Sequence, residues 1–215
     1  MREMVYQVVY KKEKPQRTIK PMGYIFYLMG KSSTGKDTIY NRLLEDEELN
    51  LKPVVIYTTR PMRQSEVQGV TYYFTDEAGL SELQACGKVI ECRGYQTVHG
   101  MWYDFTVEDE QFEGEENVLM IGTLESYEKL REHFKDRVIP IFIAVDDKER
   151  LLRAIHREEK QNAPSYAEVC RRFLADEKDF SKENIEKNKI THIFENQVLE
   201  ECVENIKNFI KNVEI

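Results

Sequence analysis

The sequence has little of what marks a secreted, metal-stapled or membrane protein. Its 215 residues include four cysteines and four histidines, and no Cys-x-x-Cys pair. This argues against a disulfide framework and against a zinc site. No apolar run approaches the ~20 residues that a membrane helix needs, and the N-terminus lacks the apolar core of a signal peptide. These absences predict a cytoplasmic protein without a membrane partner.

Excess positive charge is also missing. The net charge is −8 and the isoelectric point is about 5.2. Because nucleic-acid-binding domains favour a basic surface, we expect no nucleic-acid partner, and any affinity for phosphate must come from local arginine clusters. With 41% hydrophobic residues, a packed core is expected. The length fits one large domain, or one domain with inserts.

Glycine is scarce as well, with ten in the chain, yet two of them bracket the most informative stretch. That stretch reads Gly30-Lys31-Ser32-Ser33-Thr34-Gly35-Lys36-Asp37-Thr38. An apolar run at residues 24–29 precedes it, and a helical pattern at residues 39–44 follows. Glycines let successive backbone N–H groups turn toward phosphate oxygens, and the helix N-terminus adds its dipole. These nine residues are therefore predicted to be a P-loop that binds a nucleoside triphosphate, with Lys36 on the outer phosphates.

The P-loop departs from its usual form after the lysine. A serine or threonine normally follows, and its hydroxyl ligates magnesium. Here Asp37 follows, with Thr38 next. A carboxylate is also a good magnesium ligand. We therefore expect Mg²⁺ as the cofactor that accompanies ATP, with Asp37 and Thr38 as its protein ligands.

Apolar runs that alternate with helix-opening residues predict an α/β chain with a parallel core sheet. Strands are expected at residues 24–29, 53–57, 117–121, 137–145 and 191–194. Helices are expected after the P-loop, after Thr123, from Asp147, from Ser165, and over residues 199–210. Within the strands at 117–121 and 137–145, residues 118–121 and 138–145 are continuously apolar, as strands covered on both faces require.

Residues 60–105 are expected to form a separate, antiparallel segment. Within it, Asp76 is predicted to cap a helix that continues through Ala85. Thr106 is predicted to cap a short helix where the chain returns to the core. Arg60 and Arg63 follow the carboxyl end of the strand at 53–57, so they should face the same crevice as the P-loop.

One further block identifies a family. It reads Thr58-Thr59-Arg60-Pro61-x-Arg63-x-x-Glu66-x-x-Gly69-x-x-Tyr72-x-Phe74. Together with the P-loop, this block resembles the guanylate kinase family of nucleoside monophosphate kinases, over about residues 22–212. The resemblance implies a P-loop NTPase three-layer α/β fold with a parallel core sheet, an inserted antiparallel NMP-binding subdomain and a helical lid.

The resemblance also implies a division of the chain. Residues 1–20, which carry a net charge of +4, are expected to form an N-terminal extension. Residues 22–59 and 106–212 correspond to the P-loop kinase core, with the lid at about 150–172. Residues 60–105 correspond to the NMP-binding subdomain.

By the same resemblance, five residues bind the acceptor, GMP. Arg60 and Arg63 lie three apart and would clamp its phosphate with forked, charge-assisted hydrogen bonds. Tyr72 would donate its hydroxyl to that phosphate. Glu91 corresponds to the glutamate that accepts hydrogen bonds from N1–H and N2–H of guanine, since a carboxylate suits paired donors. His99 falls where a tyrosine usually touches the phosphate.

The resemblance assigns the donor side and the lid. Arg153 and Arg157, one helical turn apart, and Arg172 on the next helix correspond to lid arginines that reach the transferring phosphoryl group. Arg171 is adjacent and could replace Arg172. With Lys36, these arginines are the expected catalytic residues, because their charges would offset charge on the phosphate oxygens. Asn196 corresponds to an asparagine beside adenine.

The implied reaction is magnesium-dependent transfer of the γ-phosphoryl group of ATP to GMP or dGMP, which gives ADP and GDP or dGDP. The expected partners are small nucleotides, and the protein would be a monomer or homodimer. Four positions depart from the family pattern. They are Asp37, Ile56 in place of a base-contacting serine, His99, and Gly122 near the usual position of an aspartate.

Two alternatives remain open. Asp37 after Gly35-Lys36, and Gly122 after the third core strand, are similar to ribose 1,5-bisphosphate phosphokinases, so another phosphorylated acceptor is conceivable. A catalytically inactive guanylate kinase-like binding module is the second alternative. The retained Lys36, the two P-loop glycines and the lid arginines argue against it.

Overall fold

The computed structural model describes residues 22–97 and 100–213, so the expected extension at residues 1–20 and His99 lie outside the described residues. Its strands are β1 (Ile25–Met29), β2 (Lys52–Pro53), β3 (Tyr57–Thr58), β4 (Tyr73–Phe74), β5 (Val89–Thr97), β6 (Gly100–Val107), β7 (Val118–Ile121), β8 (Val138–Ala144) and β9 (Ile193–Glu195). Its α-helices are α1 (Lys36–Leu44), α2 (Glu77–Ala85), α3 (Leu124–Phe134), α4 (Asp147–Glu158), α5 (Tyr166–Asp179), α6 (Lys182–Lys187) and α7 (Leu199–Asn212).

The core is a five-stranded sheet in the order β2-β7-β1-β8-β9, and every neighbouring pair is parallel. All five residues of β1 are buried, as expected for the central strand. The loop after β1 therefore leaves the middle of the carboxyl edge of the sheet. In open parallel sheets, ligands bind at this edge.

Alternation along β1 supplies both faces of the core. Ile25, Tyr27 and Met29 pack on one side, with buried residues of α3. Phe26 and Leu28 pack on the other side, with buried residues of α1 and α7. Each fully buried aliphatic or aromatic side chain stabilises the fold by about 1.5–3 kcal/mol. The result is the predicted three-layer α/β arrangement, which the structure confirms.

The predicted strand at residues 53–57 is wrong as a single element. Lys52–Pro53 pairs with β7, whereas Tyr57–Thr58 joins a second sheet. Between them, the side chain of Gln111 hydrogen-bonds the backbone of Val55. Oε1 accepts from the N–H of Val55 at 2.8 Å, and Nε2 donates to its carbonyl oxygen at 3.1 Å. Because those groups are satisfied by a side chain, the chain can leave the central sheet at this point.

The second sheet has the order β4-β3-β6-β5. Its long β5–β6 pair and its β3–β6 pair are antiparallel, as predicted, while β3 and β4 are parallel. Leu80 of α2 packs against Phe105 and Val107 on one face. The sheet begins at Tyr57 and ends at Val107, slightly wider than the expected 60–105.

Two predicted helix caps are confirmed. Asp76 accepts a hydrogen bond from the N–H of Gly79 and starts α2, and Thr123 accepts one from Ser126 and starts α3. The expected cap at Thr106 is wrong, since Thr106 lies within β6. The short helix nearby is a 3-10 turn at Glu110–Phe112, which Asp109 caps. None of the helices in the described part of the chain is both long and apolar enough to span a bilayer.

Gly122, at the carboxyl end of β7, is required by packing. A Cβ at this position would lie 2.1 Å from the hydroxyl oxygen of Tyr27 and 3.0 Å from its Cζ. Tyr27 is buried, and its hydroxyl donates to the carbonyl of Thr123 at 3.0 Å. The tyrosine therefore occupies the space that any larger side chain at position 122 would need.

We expect Gly122→Ala to lower the free energy of unfolding by about 1–3 kcal/mol, because the new methyl group overlaps Tyr27. Tyr27→Phe removes the overlapping oxygen, so the double variant should lose less stability than the sum of the two single variants. Urea unfolding of the four proteins measures this. If the stability losses of the two single variants added up in the double variant, Tyr27 would not be what limits the side-chain size at position 122.

Candidate active site

The phosphate loop, residues 30–38, has the backbone that its glycines predict. Gly30 and Gly35 have φ angles of 158° and 84°. A Cβ at Gly30 would lie 2.5 Å from the carbonyl oxygen of Ile143, and one at Gly35 would lie 2.7 Å from Nδ2 of Asn196. Ser33 is left-handed, with φ of 64°, a conformation that costs a non-glycine residue about 1 kcal/mol. Close packing and positive φ together fix this loop.

Lys36 is the first residue of α1 and lies among charged groups of α4 and α5. Burial lowers the pKa of its ammonium, the carboxylates of Asp37 and Asp176 oppose that shift, and Arg172 and Arg157 add to it. Lys36 makes no hydrogen bond or ion pair to another residue of the described ranges. Three cations thus come together beside the phosphate loop, as expected of a site for phosphate oxygens.

Arg153 does not join this group. Its Nε donates to Glu149 at 2.9 Å, and its Nη2 lies 3.4 Å from the backbone carbonyl of Asn196. Arg171, which the sequence analysis gave as a possible replacement for Arg172 in the lid, is exposed and forms an ion pair with Glu168 within α5. Of the expected arginines, the structure brings Arg157 and Arg172 to Lys36 and places Arg153 beside Asn196.

A small recess separates the phosphate loop from α4 and α5. Ser33, Arg157 and Arg172 line it with apolar side chains of α5. The hydroxyl oxygen of Ser33 is buried and has no hydrogen-bond partner among the described residues. Nη2 of Arg172 lies 3.3 Å from Oγ of Ser32. An unpartnered buried hydroxyl beside two guanidinium groups is suited to an anion.

Arg150 was not singled out from the sequence, yet it joins the loop to both helices. Its side chain is 1% exposed. Nη2 donates to Asp147 at 2.9 Å and to Glu177 at 2.6 Å, and Nη1 reaches Asp176 and the carbonyl of Ser32, both at 3.3 Å. Its contacts come from segments far apart in the chain, so spacing alone could not reveal them.

Two carboxylates of α5 also hold the loop directly. Asp176 accepts the backbone N–H of Ser32 at 2.7 Å, and Glu177 accepts from Nζ of Lys31 at 2.6 Å. The amide of Ser32 is one of the N–H groups that a P-loop directs at phosphate oxygens. In this structure the N–H of Ser32 therefore donates to the carboxylate of Asp176.

Asn196 packs against the back of the phosphate loop. It is 3% exposed, and its Nδ2 donates to the carbonyl of Thr34 at 2.8 Å. Its own N–H donates to Ala144 at the end of β8. The residue expected beside adenine thus lies at the loop, where it also fixes the space next to Gly35.

On the acceptor side, Arg60 is positioned by Glu66. The guanidinium bonds both oxygens of that carboxylate, with Nη1 to Oε2 at 2.7 Å. Its Cζ lies 4.8 Å from the ring centre of Tyr72 and 5.4 Å from that of Phe74. The hydrogen bond from Arg60 lowers the pKa of Glu66 to about 2. The Glu66 carboxylate therefore stays charged at neutral pH.

Arg63 and Tyr72 lie near this pair. The backbone N–H of Arg63 donates to Oε2 of Glu66 at 2.8 Å, and its side chain is exposed. Tyr72 and Ile56 line a cleft between β2, β7 and the second sheet. Glu66 thus organises both arginines of the block, a role that its spacing from Arg60 does not disclose.

Glu91 is buried between the second sheet and α3. Oε1 accepts from Thr106 at 2.7 Å, and Oε2 accepts from Ser126 and from Nε of Arg93, both at 3.1 Å. Sequence reasoning expected a carboxylate open to guanine. It missed Arg93, although residues two apart on a strand share a face.

Asp37 and Thr38 are exposed in the first turn of α1. They offer a carboxylate and a hydroxyl next to Lys36, which are oxygen donors of the kind magnesium prefers. Magnesium is usually held by one or two carboxylates together with substrate phosphates. No group of three or more His, Cys, Asp or Glu within residues 22–97 and 100–213 forms a metal site by itself. The donors fit a metal that arrives with a phosphate ligand.

We expect Arg150→Met to lower the free energy of unfolding by about 2–3 kcal/mol, since it removes a buried guanidinium and leaves Asp176, 15% exposed, without that counter-charge. Arg171→Met is the control, because it removes an exposed pair within α5 and should cost less than about 1 kcal/mol. Urea unfolding measures both. Equal losses would mean that Arg150 does not hold the loop to α4 and α5.

The chain was compared with known proteins. The family profile described as guanylate kinase matches residues 23–213. The guanylate kinase of Mycoplasma mobile is 32% identical over 198 residues, which cover 88% of this chain and 92% of that protein. The guanylate kinase of Anaplasma phagocytophilum is 34% identical over 143 residues, which cover 64% of this chain and 65% of that protein.

The fold is also similar to that of a solved guanylate kinase structure. The crystal structure of guanylate kinase from Anaplasma phagocytophilum superposes with a TM-score of 0.55 at 24% identity, covering 88% of this chain and 85% of that one. At this identity the likeness shows the P-loop NTPase fold, and the family match rests on the sequence comparisons. The chain belongs to the guanylate kinase family of nucleoside monophosphate kinases.

Proposed function

We propose that the protein transfers the γ-phosphoryl group of ATP to the phosphate of GMP or dGMP, giving ADP and GDP or dGDP. The observation that carries the proposal is that Arg157 and Arg172 line the recess at the phosphate loop, directly before Lys36 in α1. The guanylate kinases of Mycoplasma mobile and Anaplasma phagocytophilum support the acceptor. Net charge of −8 fits small nucleotides rather than nucleic acid as ligands.

On the donor side, residues 30–38 would hold the phosphates of ATP. The backbone N–H groups and Lys36 would bind the β- and γ-phosphates. Asp176 must release the amide of Ser32 for the loop to close fully on phosphate. Asn196 and Arg153 lie together beside the loop and would flank the adenine end of the nucleotide.

On the acceptor side, Arg60 and Arg63 would clamp the phosphate of GMP, and Tyr72 would add its hydroxyl. Glu66 takes the Nη1–Nη2 fork of Arg60 and fixes its orientation. The Nε–Nη2 side of the guanidinium is left for a bidentate contact with phosphate. His99, which lies outside the described residues, would be a further ligand of the GMP phosphate. Glu91 would lie at the guanine base, with Nε of Arg93 hydrogen-bonded to its carboxylate.

No strong general base is needed, because the acceptor phosphate already carries nucleophilic oxygens. Catalysis would come from positioning and from cations at the transferring group. Arg157 and Arg172 would offset the charge on the equatorial oxygens, with α4 and α5 as the lid that excludes water. Arg153 is kept as a lid residue on the adenine side. Asp37 and Thr38 would hold Mg²⁺, which supplies charge neutralisation to the ATP phosphates.

Another acceptor is the second candidate. Asp37 and Gly122 are the two positions that resemble ribose 1,5-bisphosphate phosphokinases, but packing against Tyr27 already explains Gly122. The relatives reported above are guanylate kinases, which favours GMP. An inactive binding module is disfavoured because Lys36 is free of partners within the described ranges and sits beside two arginines.

We expect Lys36→Ala to lower kcat for GMP phosphorylation by roughly 10²–10³-fold, since it removes a cation from the developing phosphate charge. A coupled assay of ADP release with ATP and Mg²⁺ measures this. Lys211→Ala, which alters an exposed pair with Glu48, is the control and should keep full activity. Unchanged turnover in Lys36→Ala, with an unchanged melting temperature, would reject the assignment of the phosphate loop.

We expect Glu66→Gln to raise KM for GMP by about tenfold, because a neutral amide holds the guanidinium of Arg60 less firmly than a carboxylate does. The KM for ATP should not change. Glu82→Gln, an exposed substitution on α2, serves as the control. If KM rose equally for both substrates, the effect would be structural and Glu66 would not act through the acceptor site.

A further inference from the structure

Arg93 lies where the acceptor base is expected to bind. It follows Glu91 by two residues on β5, so both side chains project from the same face of the second sheet. Its Nε donates to Glu91 at 3.1 Å, and its side chain is 16% exposed. Arg93 lines a cleft between the second sheet and α3, together with Tyr95 and Thr123.

Glu91 has little capacity left for a ligand. Its side chain is 3% exposed, and its oxygens accept from Thr106, Ser126 and Arg93. A carboxylate offers about four acceptor positions. Reading both N1–H and the 2-amino group of guanine would need two of them, both directed at the cleft. While Arg93 stays in place, Glu91 cannot supply both.

Arg93 presents donors to the cleft instead. Within the described residues, its Nη1 and Nη2 have no hydrogen-bond partner, in contrast to its Nε. Asp104 stands opposite Arg93 in the β5–β6 register and is itself held by Thr58 at 2.6 Å. The ion pair with Glu91 orients the guanidinium of Arg93. Such a fork matches O6 and N7 of a 6-oxopurine.

We propose that Arg93 is a specificity-determining residue that reads the O6 and N7 edge of the acceptor purine, while Glu91 serves to position Arg93. This inference rests on the proposed GMP kinase activity. GMP and IMP share that edge and differ only in the 2-amino group. AMP has a donor at position 6, which would oppose the donors of Arg93. The acceptor class is therefore 6-oxopurine nucleotides.

The first test compares kcat/KM for GMP, IMP and AMP in the wild-type protein, with ATP and Mg²⁺ and with ADP release as the readout. We expect GMP and IMP to agree within about tenfold and AMP to fall about 10²-fold or more below both. A preference for GMP over IMP greater than about tenfold would overturn the inference, because a carboxylate would then be reading the 2-amino group.

Variants test the same point from the opposite direction. Arg93→Met releases Glu91, so the ratio of GMP to IMP activity should rise by about tenfold or more, and discrimination against AMP should fall. Adding Glu91→Gln to that variant should return the ratio to the wild-type value. Arg42→Met, at an exposed pair on α1, is the matched control. Ratios from one preparation do not depend on the fraction of folded protein.

The outcomes separate the two proposals. Fast turnover of GMP with poor turnover of IMP would overturn the role of Arg93 and leave the proposed function standing. An unchanged ratio in Arg93→Met would do the same. Silence with all three purine nucleotides, with turnover of ribose 1,5-bisphosphate, would overturn the proposed function and this inference with it.

Discussion

The guanidinium of Arg150 joins the phosphate loop to the two helices that would form the lid. Its donors reach the loop carbonyl of Ser32 and the carboxylates of Asp147, Asp176 and Glu177. The guanidinium is buried and pairs with all three acids, of which Asp176 is the least exposed. Loss of the cation would leave that carboxylate without this counter-charge, which is costly. The ends of α4 and α5 nearest the loop are therefore anchored. Motion of the proposed lid is easiest beyond this anchor, where Arg157 and exposed Arg171 lie.

The second sheet is attached to the core by polar contacts as well as by the chain itself. Glu91 accepts one hydrogen bond from Thr106 within the sheet and one from Ser126 at the start of α3. Gln111 holds the backbone of Val55 where the chain leaves the central sheet. These directional contacts, together with Ile56 and Ile90 packed against the core, fix the orientation of the sheet. Such an attachment suits a subdomain that must admit and release an acceptor.

Local patterns predicted local structure well. Gly30 and Gly35 between a buried strand and a helix predicted the phosphate loop, and Asp76 and Thr123 start helices as side-chain capping requires. The strand at 53–57 failed because its alternative partner, Gln111, lies more than fifty residues away. The role of Arg150 was missed for the same reason: its partners come from three separate segments. Sequence spacing reports neighbours on one element, whereas these contacts depend on how elements pack.

The departures from the family pattern have different physical causes, and only some of them concern the acceptor. Gly122 follows from the ring of Tyr27, which fills the space that an aspartate would need. Asp37 keeps an oxygen donor beside Lys36, so it preserves the chemistry of the loop. Ile56 differs from these two, since it places an apolar side chain where the resemblance implies a base-contacting hydroxyl. Without that hydroxyl, and with the acceptor positions of Glu91 shared with Arg93, the acceptor side is left with the donors of a guanidinium. Its preference should therefore follow the carbonyl edge of the base rather than its amino edge.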